Sequence, residues 1–156
     1  MYIPAALCIC LAMEVGQMTE LELFARLIQC EAGGEGDNGM RAVASVIMNR
    51  VRTPIGEYSR TGKGSIRNIA YQRGQFDCVR EGEGQNIYNM EPTQVHYDIA
   101  EWALAGNRLA GLGDALWFFN PYSDSCPQYF PTRVGRFVVR IGDHCFYDPT
   151  DDYANT

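Results

Sequence analysis

Residues 19–51 read TELELFARLIQCEAGGEGDNGMRAVASVIMNRV, and this stretch spells out two helices in succession. Thr19 precedes Glu22 by three, the spacing of a capping box, in which the threonine oxygen accepts from the third helical amide and the glutamate reaches back to the cap. Met18 and Leu23 occupy the two positions of a hydrophobic staple. Leu21, Phe24, Leu27 and Ile28 then recur at helical spacing, and extending the stripe by three reaches Glu31. Gly33 and Gly34 supply the stop. A second helix is predicted from about Asn38, a good cap, through Met40, Val43, Ala44, Ile47 and Val51, with Pro54 ending it. Its apolar content makes it the central core helix, whereas Asn49 and Arg50 either face solvent or brace the glutamate.

Working outward, residues 53–92 are rich in Gly, Arg, Asn and Gln, with a short helical piece predicted after Ser65 through Tyr71. Long connections of this kind are often functional. A third helix is predicted from Pro92, suited to a first helical position, through Val95, Ile99, Trp102 and Ala103 to Gly106. The last third changes character. Ala115 to Phe119 reads as a short buried strand, and Phe137 to Ile141 with His144 to Tyr147 as a hairpin turning at Gly142-Asp143. The acidic end from Asp148 is expected to fray. Helices first and a small sheet last predict an α+β domain, mainly helical with a small C-terminal antiparallel β-hairpin or sheet, and a cleft where the two regions meet. The expected organisation is an N-terminal segment 1–18, one domain over 19–148 and a tail 149–156.

The chain has 156 residues and a formal charge of -6, which disfavours a nucleic-acid partner because phosphate binding relies on clustered Lys and Arg. A neutral sugar polymer is compatible with that balance. The apolar run Tyr2 to Met13 is about half a membrane span and no Lys or Arg precedes it, so no stable membrane insertion is expected. It reads either as a segment packed on the domain or as a fragment of a signal or anchor. Cysteines at 8, 10, 30, 78, 126 and 145 are too scattered for a repeated C-x-x-C metal pattern, and their even number permits disulfides without requiring them. Two histidines, His96 and His144, are few for a zinc site, and His96 is expected on the polar side of its helix. Neither metal nor cofactor is expected.

Glu31 is the residue with a chemical setting. It shares a face with Phe24, Leu27 and Ile28, so its carboxyl should point toward the core or a cleft wall. At a helix C-terminus the negative dipole end disfavours ionisation as well. Cleaving a glycosidic bond needs such a group, a carboxylic acid held protonated near neutral pH. From pattern alone Glu31 is equally a partly buried carboxylate paired with Arg50 or Arg26.

Residues 27–51, LIQCEAGGEGDNGMRAVASVIMNRV, resemble the cell-wall hydrolase family that includes the spore cortex-lytic enzymes. The shared pattern is E-A-x-G-E, here Glu31 to Glu35, then A-V-A-x-V-x-x-N-R-V, here Ala42 to Val51. Ile69 to Phe76 (IAYQRGQF), Ala115 to Pro121 (ALWFFNP) and Ile141 to Tyr147 (IGDHCFY) resemble further segments of the family, so the likeness spans about residues 20–147. The resemblance implies a lysozyme-like fold, peptidoglycan as substrate, Glu31 as catalytic acid/base and Glu35 as a second acidic position. Glu35 also reads simply as a helix-start carboxylate. No recognisable motif holds a second catalytic carboxylate, so the resemblance favours a lytic transglycosylase, in which the sugar's own 6-hydroxyl attacks and one glutamate serves twice. The alternatives are an N-acetylmuramoyl-L-alanine amidase and a non-catalytic glycan-binding or spore-assembly protein of the same fold. The family also implies action in the cell wall, spore cortex or coat, or outside the cell, and admits a spore-coat or accessory protein as partner.

For sugar binding the candidates are Glu35, Tyr71, Gln75, Phe76, Trp117, Phe119, Asn120 and Tyr122. Trp117 and Phe119 alternate along a strand and equally suit the core, whereas Gln75 and Phe76, in a Gly-preceded loop, have less reason to be buried. Three features depart from the family pattern: Cys30 beside the glutamate, the Gly-Glu stretch from Glu81 to Asn89, and FVVR before the last turn. Cys30 is expected to be a buried small hydrophobe.

Overall fold

The computed structural model describes residues 18–79 and 87–156, so Tyr2 to Met13, Cys8, Cys10 and most of the Gly-Glu stretch lie outside the described residues. Helix α1 spans Glu20–Ala32, and Thr19 caps it, its hydroxyl accepting from the Glu22 amide at 3.1 Å. Half of the capping box is therefore present. The Glu22 carboxylate turns forward and accepts from Arg26 at 2.8 and 3.0 Å, an ion pair one helical turn on. Arg26 then donates to the carbonyls of Ile87 and Tyr88, fastening the short 3-10 turn Ile87–Asn89 to α1.

Helix α2 spans Gly36–Arg52, beginning two residues ahead of the expected Asn38 cap because Gly36, at φ +76°, accepts the reversal after α1. Ala42, Val43, Ala44, Val46 and Ile47 are all fully buried, so more than one face of α2 is covered, as befits a central helix. Helices α1, α3 (Gly56–Gly62), α4 (Ile66–Tyr71) and α5 (Gln94–Leu104) pack against it. Helix α3 has no apolar periodicity to reveal it. Its start is held from outside, by the Tyr153 hydroxyl accepting from the Tyr58 amide and the Thr156 hydroxyl accepting from the Glu57 amide, both at 3.0 Å. Helix α4 falls where expected, capped by Ser65.

The start of α5 corrects two expectations. Pro92 precedes the cap instead of opening the helix, and Thr93 is the cap. The imidazole of His96 accepts from the Thr93 amide at 2.9 Å, taking the place of the usual glutamate in a capping box. That bond draws His96 in to 8% exposure, away from the polar side of the helix.

Four antiparallel strands follow, β1 (Trp117–Phe119), β2 (Tyr129–Phe130), β3 (Gly135–Ile141) and β4 (His144–Pro149), in the order β1-β4-β3-β2. The expected hairpin is β3 and β4, closed by Ile141 opposite His144, and a bulge between Phe137 and Val139 interrupts its register. A disulfide between Cys126 and Cys145 ties the segment before β2 to β4. Trp117, Phe119, Phe130, Tyr147 and Tyr153 form a continuous aromatic cluster with ring centroids 5.3 to 5.8 Å apart.

Tyr153 overturns the expectation of a frayed tail. Asp151–Asn155 forms a 3-10 turn, and Tyr153 is 1% exposed, edge-on to Trp117. One large aromatic with a satisfied hydroxyl anchors the acidic end. Tyr153→Ala should therefore lower unfolding stability by about 3–5 kcal/mol, the range for emptying a buried aromatic site. Urea denaturation of this variant and of a chain ending at residue 150 should show comparable losses.

Candidate active site

The last turn of α1 and the loop after it bring Gln29, Cys30, Glu31 and Glu35 to one wall of a cleft of about 490 Å³. His96 comes from α5, and Asn120, Tyr122 and His144 come from the sheet side. The cleft lies where the helical and β regions meet. Glu31 carries the distinctive electrostatics. Burial pushes its carboxyl above the usual carboxylate range, and the Asp77 charge pushes the same way. A hydrogen bond from the Cys78 side chain, the positive charge of Arg50 and the Cys78 backbone oppose the rise without cancelling it.

Among the described residues no ion pair includes Glu31. Arg26 is committed to Glu22. Arg50 is 4% exposed, donates its Nε to the Leu116 carbonyl at 2.7 Å, and lies 4.8 Å from the Tyr58 ring centre and 5.2 Å from that of Phe76. Of the two roles open to Arg50 in the sequence, solvent exposure is excluded. Asn49 is buried too, donating to the Gly113 and Ala115 carbonyls at 3.2 and 3.0 Å.

Glu35 stands at the N-cap of α2 but makes no side-chain cap bond. Its carboxylate instead accepts from the Asp143 amide at 3.1 Å, linking the loop after α1 to the β3–β4 turn. Gly142, at φ +57°, has Glu35 Oε2 in the space a side chain would fill. Beside it burial holds the His144 imidazole below its ordinary range, against the opposing charges of Glu35 and Asp143, so this ring is neutral near pH 7. Asn120 accepts from the Tyr122 amide at 2.8 Å, and the turn presents Tyr122 almost fully exposed, at 92%, with φ +51°.

Glu35, Asn120 and Tyr122 thus join Glu31 in one cleft, and the other sugar-binding candidates do not line it. Tyr71 borders a separate hollow with Thr61, Lys63, Asn68 and Gln72. Gln75 accepts from the Tyr58 hydroxyl at 2.7 Å. Phe76, expected to be an exposed loop residue, is 5% exposed beneath the Arg50 guanidinium, because that buried cation needs a ring face to cover it. Trp117 and Phe119 belong to the aromatic cluster. The sequence reading missed Gln29, His96 and His144 as cleft residues. His96 sits three residues after Thr93, which was the available signal. Cys30 is partly exposed on the cleft wall, not fully buried.

The model of the family described as Cell Wall Hydrolase matches residues 34–147. The chain belongs to the cell wall hydrolase family. The matched span opens just after Glu31, so the family assignment rests on α2, the middle segments and the sheet. Cell wall hydrolase CwlJ of Bacillus subtilis is 33% identical over 131 residues, covering 84% of this chain and 86% of the relative. CwlJ of Oceanobacillus iheyensis is 34% identical over 134 residues, covering 84% and 87%. The spore cortex-lytic enzyme of Bacillus subtilis is 29% identical over 128 residues, 81% of this chain but 37% of that longer protein. Among solved structures, the catalytic domain of the germination-specific lytic transglycosylase SleB from Bacillus anthracis superposes with a TM-score of 0.63 at 24% identity, covering 86% of this chain and 98% of that domain. The Bacillus cereus SleB catalytic domain does so with 0.63 at 25%, covering 83% and 89%. This cell wall hydrolase therefore has the lysozyme-like α+β architecture that its sequence implied.

The raised carboxyl of Glu31 has a consequence for stability. A carboxyl whose folded pKa exceeds its unfolded value favours the fold below about 4.5, its ordinary value, and loses that contribution as pH rises through the folded pKa. Glu31→Gln removes the charge altogether. The variant should gain stability over the native chain at pH 8 and match it at pH 4, by about 1.4 kcal/mol per pH unit between the two pKa values. Denaturation midpoints at the two pH values measure this.

Proposed function

We propose that this protein cleaves the glycan strand of peptidoglycan as a lytic transglycosylase, with Glu31 acting first as acid and then as base. The observation that carries this reading is a desolvated carboxyl in a polar cleft where, among the described residues lining it, the one other carboxylate already holds a backbone amide of the opposite wall. The one other acid on that wall, Glu35, is engaged by the Asp143 amide. A two-acid hydrolase needs a partner carboxylate to activate water or to attack the sugar. Here the protonated Glu31 gives its proton to the glycosidic oxygen as the bond from C1 breaks. The 6-hydroxyl of the same muramic residue bonds to C1, and the Glu31 carboxylate takes the hydroxyl proton. Glu31 ends protonated as it began. No water is consumed, and the strand ends in a 1,6-anhydro sugar.

The remaining cleft residues suit a carbohydrate. Tyr122 offers an exposed ring face, Asn120 and Gln29 are amides, and the neutral His144 adds a polar ring without charge. Lys and Arg are absent from the cleft lining among the described residues, which fits an uncharged stretch of glycan better than a polyanion. The CwlJ and spore cortex-lytic likenesses support the same substrate class.

Digestion of purified sacculi and of cortex containing muramic lactam, with products read by mass spectrometry, tests the mechanism. Anhydro ends are expected. Reducing ends would assign water as the nucleophile, and released stem peptides would assign an amidase. Glu31→Gln should lower turnover by about 10²–10⁴-fold, the contribution of a positioned acid/base. Native activity should fall as pH rises through the raised pKa of Glu31, because only the protonated form donates.

A further inference from the structure

Helix α2 meets the sheet region at both of its ends, by contacts of unequal strength. Near its last turn Asn49 donates to the Gly113 and Ala115 carbonyls and Arg50 to the Leu116 carbonyl, so several largely buried bonds fasten the segment entering β1. At its N-cap one hydrogen bond makes the crossing. The Asp143 amide donates to Glu35 Oε2 at 3.1 Å, in an exposed position at the cleft, and joins residues 108 apart in the chain. Two glycines shape the path of that side chain. Gly39, in the first turn of α2 and buried, leaves room for the Glu35 Cβ, against which a side chain of its own would collide. Gly142 does the same for the carboxylate, since a Cβ there would meet Glu35 Oε2. Glu35 is thus threaded between a helix glycine and a turn glycine and ends on a backbone amide.

We propose that Glu35 is a positioning residue, a clasp that holds the β3–β4 turn against the start of α2 and so sets the aperture of the glycan cleft, with no part in bond cleavage. This rests on the cleft being the glycan site. His144 directly follows Asp143 and lines the cleft. Strand β4 pairs with β1, Cys145 opposite Phe119, so Asn120 and Tyr122, just beyond β1, are carried with the turn. Glu31 lies in α1, on the other side of the clasp. Releasing the turn therefore displaces the binding wall and leaves the acid in place, an effect on KM and not on kcat. The buried bonds at the far end of α2 keep the sheet attached, so the domain stays folded when the clasp opens. The contact requires an acceptor oxygen at the end of a side chain of this length, and the amide oxygen of glutamine supplies one. A catalytic carboxylate, by contrast, is disabled by that exchange.

The test compares the full chain with Glu35→Gln, Glu35→Ala, Gly142→Ala and the Glu35→Ala/Gly142→Ala double variant. Two quantities are read: kcat and KM on soluble, uncrosslinked glycan strands, and the exchange rate of the Asp143 amide by NMR without substrate. Glu35→Ala should raise KM and speed that exchange by about tenfold each, the scale of losing one hydrogen bond to a charged group, with kcat kept. Glu35→Gln should restore both toward the native values. Gly142→Ala, which forces the carboxylate off the amide, should repeat the rise in KM, and the double variant should be no worse than either single one, because both remove the same contact. If Glu35→Ala does not fold, Gly142→Ala and Glu35→Gln still decide. Equal losses of kcat in Glu35→Gln and Glu35→Ala would make Glu35 a catalytic group and overturn the proposal. So would an unchanged KM in Glu35→Ala, additive rises in the double variant, or an Asp143 amide that exchanges equally fast in the native chain and Glu35→Ala. The exchange rate needs no activity, so failure of the clasp is distinguishable from failure of the cleft as the glycan site, which the Glu31→Gln comparison reports separately.

Discussion

A buried guanidinium organises this molecule. Arg50 sits near the end of the central helix α2, and taking its charge out of water costs several kcal/mol unless the surroundings answer it. The Leu116 carbonyl accepts from its Nε, and the rings of Tyr58 and Phe76 lie against its faces. Each of these partners belongs to a different part of the chain. Satisfying one cation therefore joins α2 to the segment entering β1, to α3 and to the loop that carries Cys78. One buried nitrogen of the guanidinium, Nη1, has no hydrogen-bond partner among the described residues. Its charge is thus incompletely answered while Glu31 is protonated, and it favours the ionised form when Glu31 gives up its proton.

That arrangement accounts for the poise of Glu31. Burial alone would hold the carboxyl protonated and make it a reluctant acid, whereas a direct ion pair would hold it ionised and make it no acid. Arg50 acts at a distance, and Cys78 supplies a local hydrogen bond, so neither extreme applies. The opposite wall is held by a different contact, the Glu35 carboxylate on the Asp143 amide. Because the residue at 142 is glycine, the hairpin turn comes close enough for that bond, and His144, Asn120 and Tyr122 arrive with it.

The two helices around Glu31 were legible because both their signals are local. Thr19 ahead of Glu22 and apolar residues at helical spacing define α1 and aim Glu31 inward, whatever the rest of the chain does. The β3–β4 hairpin was legible for the same reason, an apolar run on each side of Gly142-Asp143. Helix α3 was not, since a seven-residue helix with one buried side chain has no period to detect. Phe76 was misjudged because its burial depends on Arg50, and His96 because its place depends on Thr93 standing one position later than the expected helix start.

The sequence by itself thus determined the secondary elements near Glu31, its inward direction and, through its motifs, the family. Tertiary structure alone decided which groups surround that carboxyl: Arg50 and Cys78 on one side, with Glu35 anchored to the turn across the cleft. It also decided that the acidic tail is anchored, through Tyr153 on Tyr58. The physical reason is range. Caps and periodicity act between residues three or four apart, whereas Arg50 with Leu116, Glu35 with Asp143 and Tyr58 with Tyr153 are joined only after the chain has folded back on itself.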